Sequence, residues 1–238
     1  MIPKAVCKDF ENMGGKLFDQ SQLFVFDLDG TLVDTFDDIA QAVNHVLGIF
    51  GLAPRSVDEV RGHVGNGVRQ LMSRMMGDFA KRVSPEERES LFDKAIEAWR
   101  KYYLEHPAER SRLYPDVQRV LELLRSRSIR LAVFSNKLQE ITERVLEELG
   151  IVHLLDEVIG ENSRFPRKPD PEGLFFLMKK FHARPETTWM VGDGEADVQV
   201  GLAAGCRICG VSYGILSRTS LLASGAHVVI DSFGDLVL

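Results

Sequence analysis

The stretch LFVFDLDGTLVDT, residues 23–35, places two carboxylates directly after an apolar run and just before a glycine. Residues 23–27 predict a short strand that is covered on both faces, because the run is continuously apolar up to Asp27. A turn that begins at Asp29 can bring the second carboxylate into the same crevice as the first. In a parallel sheet, ligands bind at that end of the strands. Taken alone, the motif also fits an ordinary strand end with turn-forming residues.

Further apolar, β-rich runs follow along the chain and alternate with helical patterns, which is typical of a parallel sheet wrapped by helices. A period of three to four residues is clear in Phe36, Ile39 and Val43. The additional predicted strands are residues 130–135, 157–160, 188–193, 207–211 and 227–231.

About 100 residues separate the first two predicted strands, far more than one crossover helix needs. This stretch shows helical stripes and no convincing strand, so we interpret it as a helical insert. The predicted organisation is an N-terminal extension at residues 1–21, a core at 22–35 and 113–238, and the insert at 36–112.

The composition excludes several classes of protein. With 45% apolar and 27% charged residues in a chain of 238, it is that of an ordinary globular protein. The formal net charge of −6 argues against a general nucleic-acid or membrane-surface binder. Cys7, Cys206 and Cys209 cannot form a disulfide framework, and no apolar run is long enough for a signal peptide or a membrane span. We expect a cytoplasmic protein without nucleic-acid or membrane partners.

Three more segments carry reactive side chains at the predicted ends of strands or starts of helices. Ser135 and Asn136 end the second strand, Lys168 precedes a helix, and residues 192–197 (GDGEAD) end a later strand. With the first motif they supply carboxylates, a hydroxyl donor and a cation. That inventory suits phosphoryl transfer, in which positioning and neutralisation of the phosphate charge do most of the catalytic work.

These four segments together resemble the motifs of the haloacid dehalogenase superfamily, specifically its phosphatases with a helical cap inserted after the first motif, and phosphoglycolate phosphatases above all. The resemblance covers residues 22–238. It implies an α/β fold with a Rossmann-like parallel sheet core and helices on both faces, plus an inserted all-helical cap domain. It also implies Mg²⁺ as cofactor and a small phosphorylated metabolite as substrate.

The resemblance also implies roles for individual residues. Asp27 would attack the phosphorus and form an aspartyl-phosphate. Asp29 would protonate the leaving alcohol and then activate water. Ser135 would hydrogen-bond a phosphoryl oxygen, and Lys168 would neutralise the nucleophile and the transferring group. The expected metal-site residues are Asp27, Asp29 through its backbone carbonyl, Asp193 and Asp197, the last through metal-bound water or through Lys168.

Substrate contacts are expected from both sides of the site. Thr31 is expected near the phosphate, although a structural role after the turn is equally open, and Asn136 is also a candidate contact. In the insert, Asn66 and Gly67 form a G-N-G loop similar to one in the caps of the resembled phosphatases. Backbone N–H groups at the following helix N-terminus would favour an anion, and Arg69 could bind a carboxylate. The alternatives are an interhelical turn and a solvated arginine.

Gly194 stands where the resembled family usually has serine, which leaves Asp193 and Asp197 in place. Two other functions stay open at this point: a sugar phosphomutase of the β-phosphoglucomutase kind, and a phosphate-sensing protein without turnover. A monomer and a homodimer are equally compatible with the sequence.

Overall fold

A sheet of six parallel strands forms the centre of the structure, a computed structural model that describes residues 20–237. Cys7 and most of the predicted N-terminal extension lie outside the described residues. The described residues form eight strands, of which β2 and β3 make a separate antiparallel pair: β1 (Leu23–Phe26), β2 (Val33–Asp34), β3 (Arg112–Leu113), β4 (Arg130–Leu138), β5 (Glu157–Glu161), β6 (Thr188–Gly192), β7 (Arg207–Val211) and β8 (Val228–Ile230). The order in the large sheet is β5-β4-β1-β6-β7-β8. The strand order therefore reverses beside β1, and such a switch point is where open α/β sheets bind ligands.

Ten α-helices in the described chain connect and cover these strands. They are α1 (Phe36–Ile49), α2 (Val57–Arg61), α3 (Val68–Met75), α4 (Gly77–Ala80), α5 (Pro85–Glu105), α6 (Val117–Ser126), α7 (Gln139–Glu148), α8 (Glu172–Phe181), α9 (Glu195–Ala204) and α10 (Arg218–Ser224). None of them combines the length and the apolarity needed to cross a lipid bilayer.

Both faces of the sheet are covered by helices. Along β1, Phe24 and Phe26 pack into one apolar cluster with α6 and α7, whereas Leu23 and Val25 pack into another with α8. Successive side chains point to opposite faces of a strand, so this division places a core on each side. The predicted α/β fold with a parallel sheet is confirmed, and each of its six predicted strands is present.

Between β2 and β3 the chain forms helices α1 to α5, which we call the helical segment (residues 36–105). Its longest helix, α5, begins at a capping box in which Ser84 and Glu87 bond each other's backbone N–H. The predicted helical character is confirmed. The short pair β2 and β3 was not predicted, because two-residue strands are too short to show periodicity. The domain boundaries at 22–35, 36–112 and 113–238 stay a prediction.

Asp38 in α1 joins the two ends of the helical segment. Its carboxylate is buried and accepts hydrogen bonds from the backbone N–H of Arg110 at 3.1 Å and of Ser111 at 2.8 Å. The Ser111 hydroxyl adds a third donor at 2.6 Å. The chain therefore leaves and re-enters the sheet region side by side, as the pairing of β2 with β3 also shows.

Candidate active site

The turn after β1 brings two carboxylates into one cavity. The Asp27 N–H continues the sheet by donating to Val191 of β6, and Asp27 Oδ1 accepts from the Leu28 N–H at 2.7 Å. Gly30 then adopts a φ of 80°, and a Cβ there would lie only 2.2 Å from Asp193 Oδ2. Glycine is therefore required at this position both by backbone conformation and by the close approach of a carboxylate. Asp27 and Asp29 line the same cavity, as the turn was expected to allow.

Lys168 bridges two of the carboxylates from the loop between β5 and α8. Its Nζ lies 2.9 Å from Asp27 Oδ1 and 2.6 Å from Asp197 Oδ1, and its side chain is almost fully buried. Burial alone would lower the pKa of Lys168, but the two carboxylates raise it, Asp197 more than Asp27. The side chain is thus a fixed ammonium beside the expected nucleophile.

Asn136 positions this lysine and does not face the phosphate site with a free amide. Its Oδ1 accepts from the Lys168 N–H at 2.8 Å, and its Nδ2 donates to the carbonyls of Lys168 and Gly65 at 3.0 Å each. Both ends of the amide are engaged by the backbone, which gives Asn136 a positioning role, and its expected contact with substrate stays a prediction. One of those bonds also ties the core to the helical segment.

Three buried carboxylates approach one another closely enough to share a metal ion. One oxygen each of Asp27, Asp193 and Asp197 lies within 4.8 Å of the others. Burial raises the pKa of Asp27 to about 6 despite the opposing Lys168, with Asp197 and Asp29 adding to the rise. Burial, Asp27 and Asp197 also hold the pKa of Asp193 well above its ordinary value. Burial and mutual repulsion therefore disfavour the ionised form of these carboxylates. A hard divalent cation such as Mg²⁺, which prefers oxygen ligands, fits such a cluster because it would offset the negative charge.

Neighbouring groups fix the orientation of Asp193 and Asp197. Asp193 Oδ1 accepts from the Thr31 hydroxyl at 3.1 Å, and Oδ2 accepts from the Ile215 N–H at 2.7 Å. Asp197 Oδ2 accepts from the Gly194 N–H at 2.9 Å, so the glycine at this unusual position still closes the turn. Of the two roles left open for Thr31, the geometry favours the structural one. The contact from Ile215 was not predicted, since no motif marks its loop.

A second buried lysine, which the sequence analysis missed, lies on the other side of the cavity. Lys137 Nζ in β4 donates to Asp29 Oδ1 at 3.0 Å and to the Tyr103 hydroxyl of α5, also at 3.0 Å. The Thr35 hydroxyl donates to the same Asp29 oxygen at 2.6 Å. Burial alone would lower the pKa of Lys137, but Asp29 and Tyr103 raise it. Its position directly after Ser135 and Asn136 at a strand end was the available signal.

The cavity itself lies between the carboxyl end of β1 and the helical segment. The space that the centre of a water molecule could occupy in this cavity is about 40 Å³. A single water needs roughly 10–15 Å³ on the same measure. It therefore holds a group of only a few heavy atoms. Besides the two aspartates, it is lined by Ile39, Val64, Gly65, Gly67, Val68, Leu71, Trp99, Ser135, Asn136, Lys137 and Leu138. Asn66 lines a neighbouring cleft, together with Asp193 and Asp197.

The structure does not bring Arg69 to this cavity. Its guanidinium bonds Glu89 at 2.8 Å and also Asp93, both on the exposed surface of α5. The expected contact with a substrate carboxylate is therefore corrected to a surface ion pair. Sequence spacing could not show this, since the two acidic partners lie two helices further along the chain.

The N-terminus of α3 already faces a carboxylate of the protein. A Cβ on Gly67 would lie 2.7 Å from Glu161 Oε2 at the end of β5. Burial raises the pKa of Glu161, opposed by the Arg167 guanidinium and by the Val68 N–H. Arg167 also donates to the Asn66 carbonyl at 3.1 Å. A carboxylate of the protein thus lies beside this helix end, and the expected substrate contacts of Asn66 and Gly67 stay a prediction.

Comparisons with known proteins agree with this arrangement. A family model described as haloacid dehalogenase-like hydrolase matches residues 24–211. A phosphoglycolate phosphatase of Haemophilus influenzae is 35% identical over 218 residues, covering 92% of this chain and 97% of the relative. One from Aquifex aeolicus is 32% identical, covering 84% and 88%. The crystal structure of a "predicted phosphoglycolate phosphatase" from Haemophilus somnus superposes with a TM-score of 0.83 at 32% identity, covering 92% of this chain and 97% of that one.

Three observations identify the family of this chain: the fold, the acidic and basic groups at the carboxyl end of β1, and the match over most of the chain. The chain belongs to the haloacid dehalogenase-like hydrolase family and, within it, is similar to phosphoglycolate phosphatases.

Proposed function

We propose that this hydrolase is a Mg²⁺-dependent phosphatase that releases phosphate from a small monoester, 2-phosphoglycolate, through an aspartyl-phosphate on Asp27. The observation that carries the proposal is the position of Lys168 between Asp27 and Asp197, with Asp193 close by. A carboxylate nucleophile, a fixed cation and a metal-ligand set then meet at one strand end. The names of the relatives support the choice of substrate.

Asp27 is held in a way that suits attack on phosphorus. Its Oδ1 accepts bonds from the Leu28 N–H and from Lys168, while Oδ2 bonds no donor in the described part of the chain. Attack forms the bond from the carboxylate to phosphorus and breaks the bond from phosphorus to the leaving oxygen. Lys168 stabilises the negative charge of the transferring group. Ser135 lines the cavity, and its hydroxyl is available to bond a phosphoryl oxygen.

Asp29 is the acid and the base of the proposed reaction. Thr35 and Lys137 hold its Oδ1, and its side chain borders the cavity where the leaving group would lie. It would give a proton to the leaving alcohol and then take one from the water that hydrolyses the aspartyl-phosphate. This sequence of roles needs one carboxylate near the ester oxygen and a separate one as nucleophile.

The residues present fit the metal that the family uses. The Asp27 and Asp193 carboxylates and the Asp29 backbone carbonyl would hold Mg²⁺, which would neutralise phosphate charge during transfer. Asp197 serves mainly to hold Lys168, because both of its oxygens are engaged by Lys168 and by Gly194. We further propose that the helical segment acts as a cap that excludes water from the cavity.

The names of the relatives, which are phosphoglycolate phosphatases, favour a phosphatase over a sugar phosphomutase. The test is phosphate release by the purified full-length protein, with and without Mg²⁺, from 2-phosphoglycolate, glucose phosphates and p-nitrophenyl phosphate. We expect Mg²⁺-dependent release, fastest from 2-phosphoglycolate. Interconversion of glucose phosphates without release would identify a mutase, and binding without turnover would identify a sensor.

A further inference from the structure

Phosphoglycolate carries a carboxylate, but of the two features expected to recognise it, Arg69 is bonded to Glu89 and Asp93, and the α3 N-terminus has Glu161 beside it. The cavity nevertheless contains one cation that the phosphoryl chemistry does not use. Lys137 lines its wall, and its side chain is only 2% exposed. A buried ammonium beside the leaving-group position is the natural place to look for an anion-binding group.

Lys137 is fixed in the wall of the cavity by its neighbours. An ammonium has three N–H donors, and Lys137 Nζ contacts Asp29 Oδ1 at 3.0 Å, the Tyr103 hydroxyl at 3.0 Å and Asp29 Oδ2 at 3.4 Å. Tyr103 also places its ring 4.2 Å from the ammonium. The contact with Asp29 Oδ2 is the longest of the three and therefore the weakest, so a ligand carboxylate in the cavity can take its place.

Trp99 supplies a donor without a partner. It lines the same cavity, is 2% exposed, and its Nε1–H finds no acceptor within the described chain. Its ring lies 5.0 Å from that of Tyr103 and 6.0 Å from Lys137 Nζ. A buried donor without an acceptor costs free energy, so such groups in native proteins generally have a partner or a ligand. The unpartnered Trp99 N–H and the nearby Lys137 ammonium, both on the wall of one small cavity, call for an acceptor-rich group.

We propose that Lys137 and Trp99 form a subsite for the carboxylate of the leaving group, with Tyr103 as the residue that positions the lysine. The proposal rests on the phosphatase function proposed above. With the ester oxygen at Asp29, a carboxylate two bonds away reaches the region beside Lys137, which contacts Asp29 directly. Ile39, Val68 and Leu71 add apolar side chains to the wall of the same small cavity, which favours a short chain between the ester oxygen and the carboxylate. The subsite therefore selects 2-phosphorylated short carboxylates.

The test compares 2-phosphoglycolate with ethyl phosphate, which replaces the carboxylate by a methyl group. The measured quantity is the ratio of kcat/KM for the two substrates, because loss of the Asp29 contact affects both of them. We expect Lys137→Met to lower this ratio by about 10–100-fold and Trp99→Phe by about 3–10-fold, the scale of a charged and of a neutral hydrogen bond. Inhibition by the product glycolate should weaken in parallel.

Arg69→Ala is the matched control, since it removes a nearby cation that points to the surface, and its ratio should equal that of the wild type. Trp99→Phe keeps the test decisive if Lys137→Met folds poorly. An unchanged ratio in both Lys137→Met and Trp99→Phe, in protein that hydrolyses both substrates, would overturn the subsite alone. A wild-type protein that hydrolyses neither substrate would contradict the phosphatase function and the subsite with it.

Discussion

Lys168 is the residue on which the charge balance of the site depends. Its side chain is 1% exposed, and it lies between Asp27 and Asp197, which are themselves buried. Two carboxylates in such a place are stable only while a cation faces them, because neither is solvated by bulk water. The same ammonium that allows Asp27 to stay ionised for attack therefore also holds the loop before α8 to the sheet.

We expect Lys168→Met to lose both activity and stability. Removing one member of a buried charge group leaves the others uncompensated, which costs about 3–5 kcal/mol of unfolding free energy. The double variant Lys168→Met/Asp197→Asn removes one of the orphaned charges and should recover part of that loss without recovering activity. Chemical denaturation in EDTA measures the loss of unfolding free energy in the single variant and its partial recovery in the double variant. A double variant no more stable than the single one would remove this charge group from the explanation of stability.

At the same scale, the sequence could identify reactive residues but not the directions of all of their side chains. Asp27, Asp29, Lys168 and Asp193 follow from residue type and position at strand ends, and the structure brings them together. The orientation of Arg69 could not be predicted, since it depends on acidic partners in α5 that no local pattern links to it. The role of Lys137 likewise depends on a tyrosine in another part of the chain.

At the scale of elements, the helical segment shares an apolar cluster with the core, and several polar contacts add to that attachment. Asp38 accepts three hydrogen bonds from Arg110 and Ser111, where the segment begins and ends. Asn136 bonds the Gly65 carbonyl, and Lys137 bonds Tyr103. The Asp38 contacts join the chain that enters the helical segment to the chain that leaves it. The Asn136 and Lys137 contacts instead cross the cavity from the core to the helical segment. These crossing contacts must break if the cap opens, as must the one from Arg167 to the Asn66 carbonyl.

Asp38→Ala should destabilise the protein through the connecting chains. The buried N–H groups of Arg110 and Ser111 would lose their acceptor, at about 1–3 kcal/mol for each unsatisfied group. Asp37→Ala is the control, because Asp37 is the exposed neighbour in the same first turn and contributes only about 0.3–1 kcal/mol through the helix dipole. Thermal unfolding followed by circular dichroism gives the comparison. Equal losses in the two variants would show that the Asp38 contacts add nothing.

The elements themselves were predictable to different degrees. Each strand of the large sheet follows from an apolar run bounded by turn residues, as with Leu23–Phe26 and Arg207–Val211. The pair Val33–Asp34 and Arg112–Leu113 could not be found, because its two halves lie nearly eighty residues apart and each is too short for a pattern. Periodicity in the sequence indicates only local structure. The pairing of β2 with β3, which are far apart in the sequence, depends on the complete fold.

For the whole molecule, metal binding and folding are linked through the carboxylate cluster. Asp27, Asp193 and Asp197 carry three negative charges against the one positive charge of Lys168. Burial and mutual repulsion hold the pKa values of Asp27 and Asp193 above their ordinary range, so the ionised cluster opposes folding when no cation is bound. We expect a divalent ion to reverse that effect, since it would bind the folded cluster far better than the unfolded chain.

Asp193→Asn should therefore change stability in opposite directions with and without Mg²⁺. In EDTA the variant should melt above the wild type, because it removes one charge and keeps acceptable partners for Thr31 and Ile215. In saturating Mg²⁺ the wild type should melt higher, since a ligand at 100 times its Kd stabilises by about 2.7 kcal/mol. Melting curves of both proteins in EDTA and in Mg²⁺ test this reversal of the order of their Tm values. A wild-type Tm that does not change with Mg²⁺ would contradict the metal site.

The central claim is that Asp27 is transiently phosphorylated. The proposed roles of the carboxylate cluster and of the cavity in hydrolysis both depend on this step. Enzyme mixed with substrate and Mg²⁺ is quenched in acid during the first turnover and reduced with borohydride, which converts an aspartyl-phosphate to homoserine. Peptide mass spectrometry then locates the change. We expect homoserine at position 27 in the wild type and at no position in Asp27→Asn, whose amide is a poor nucleophile. Homoserine elsewhere, or none at position 27 while phosphate is being released, would contradict nucleophilic attack by Asp27.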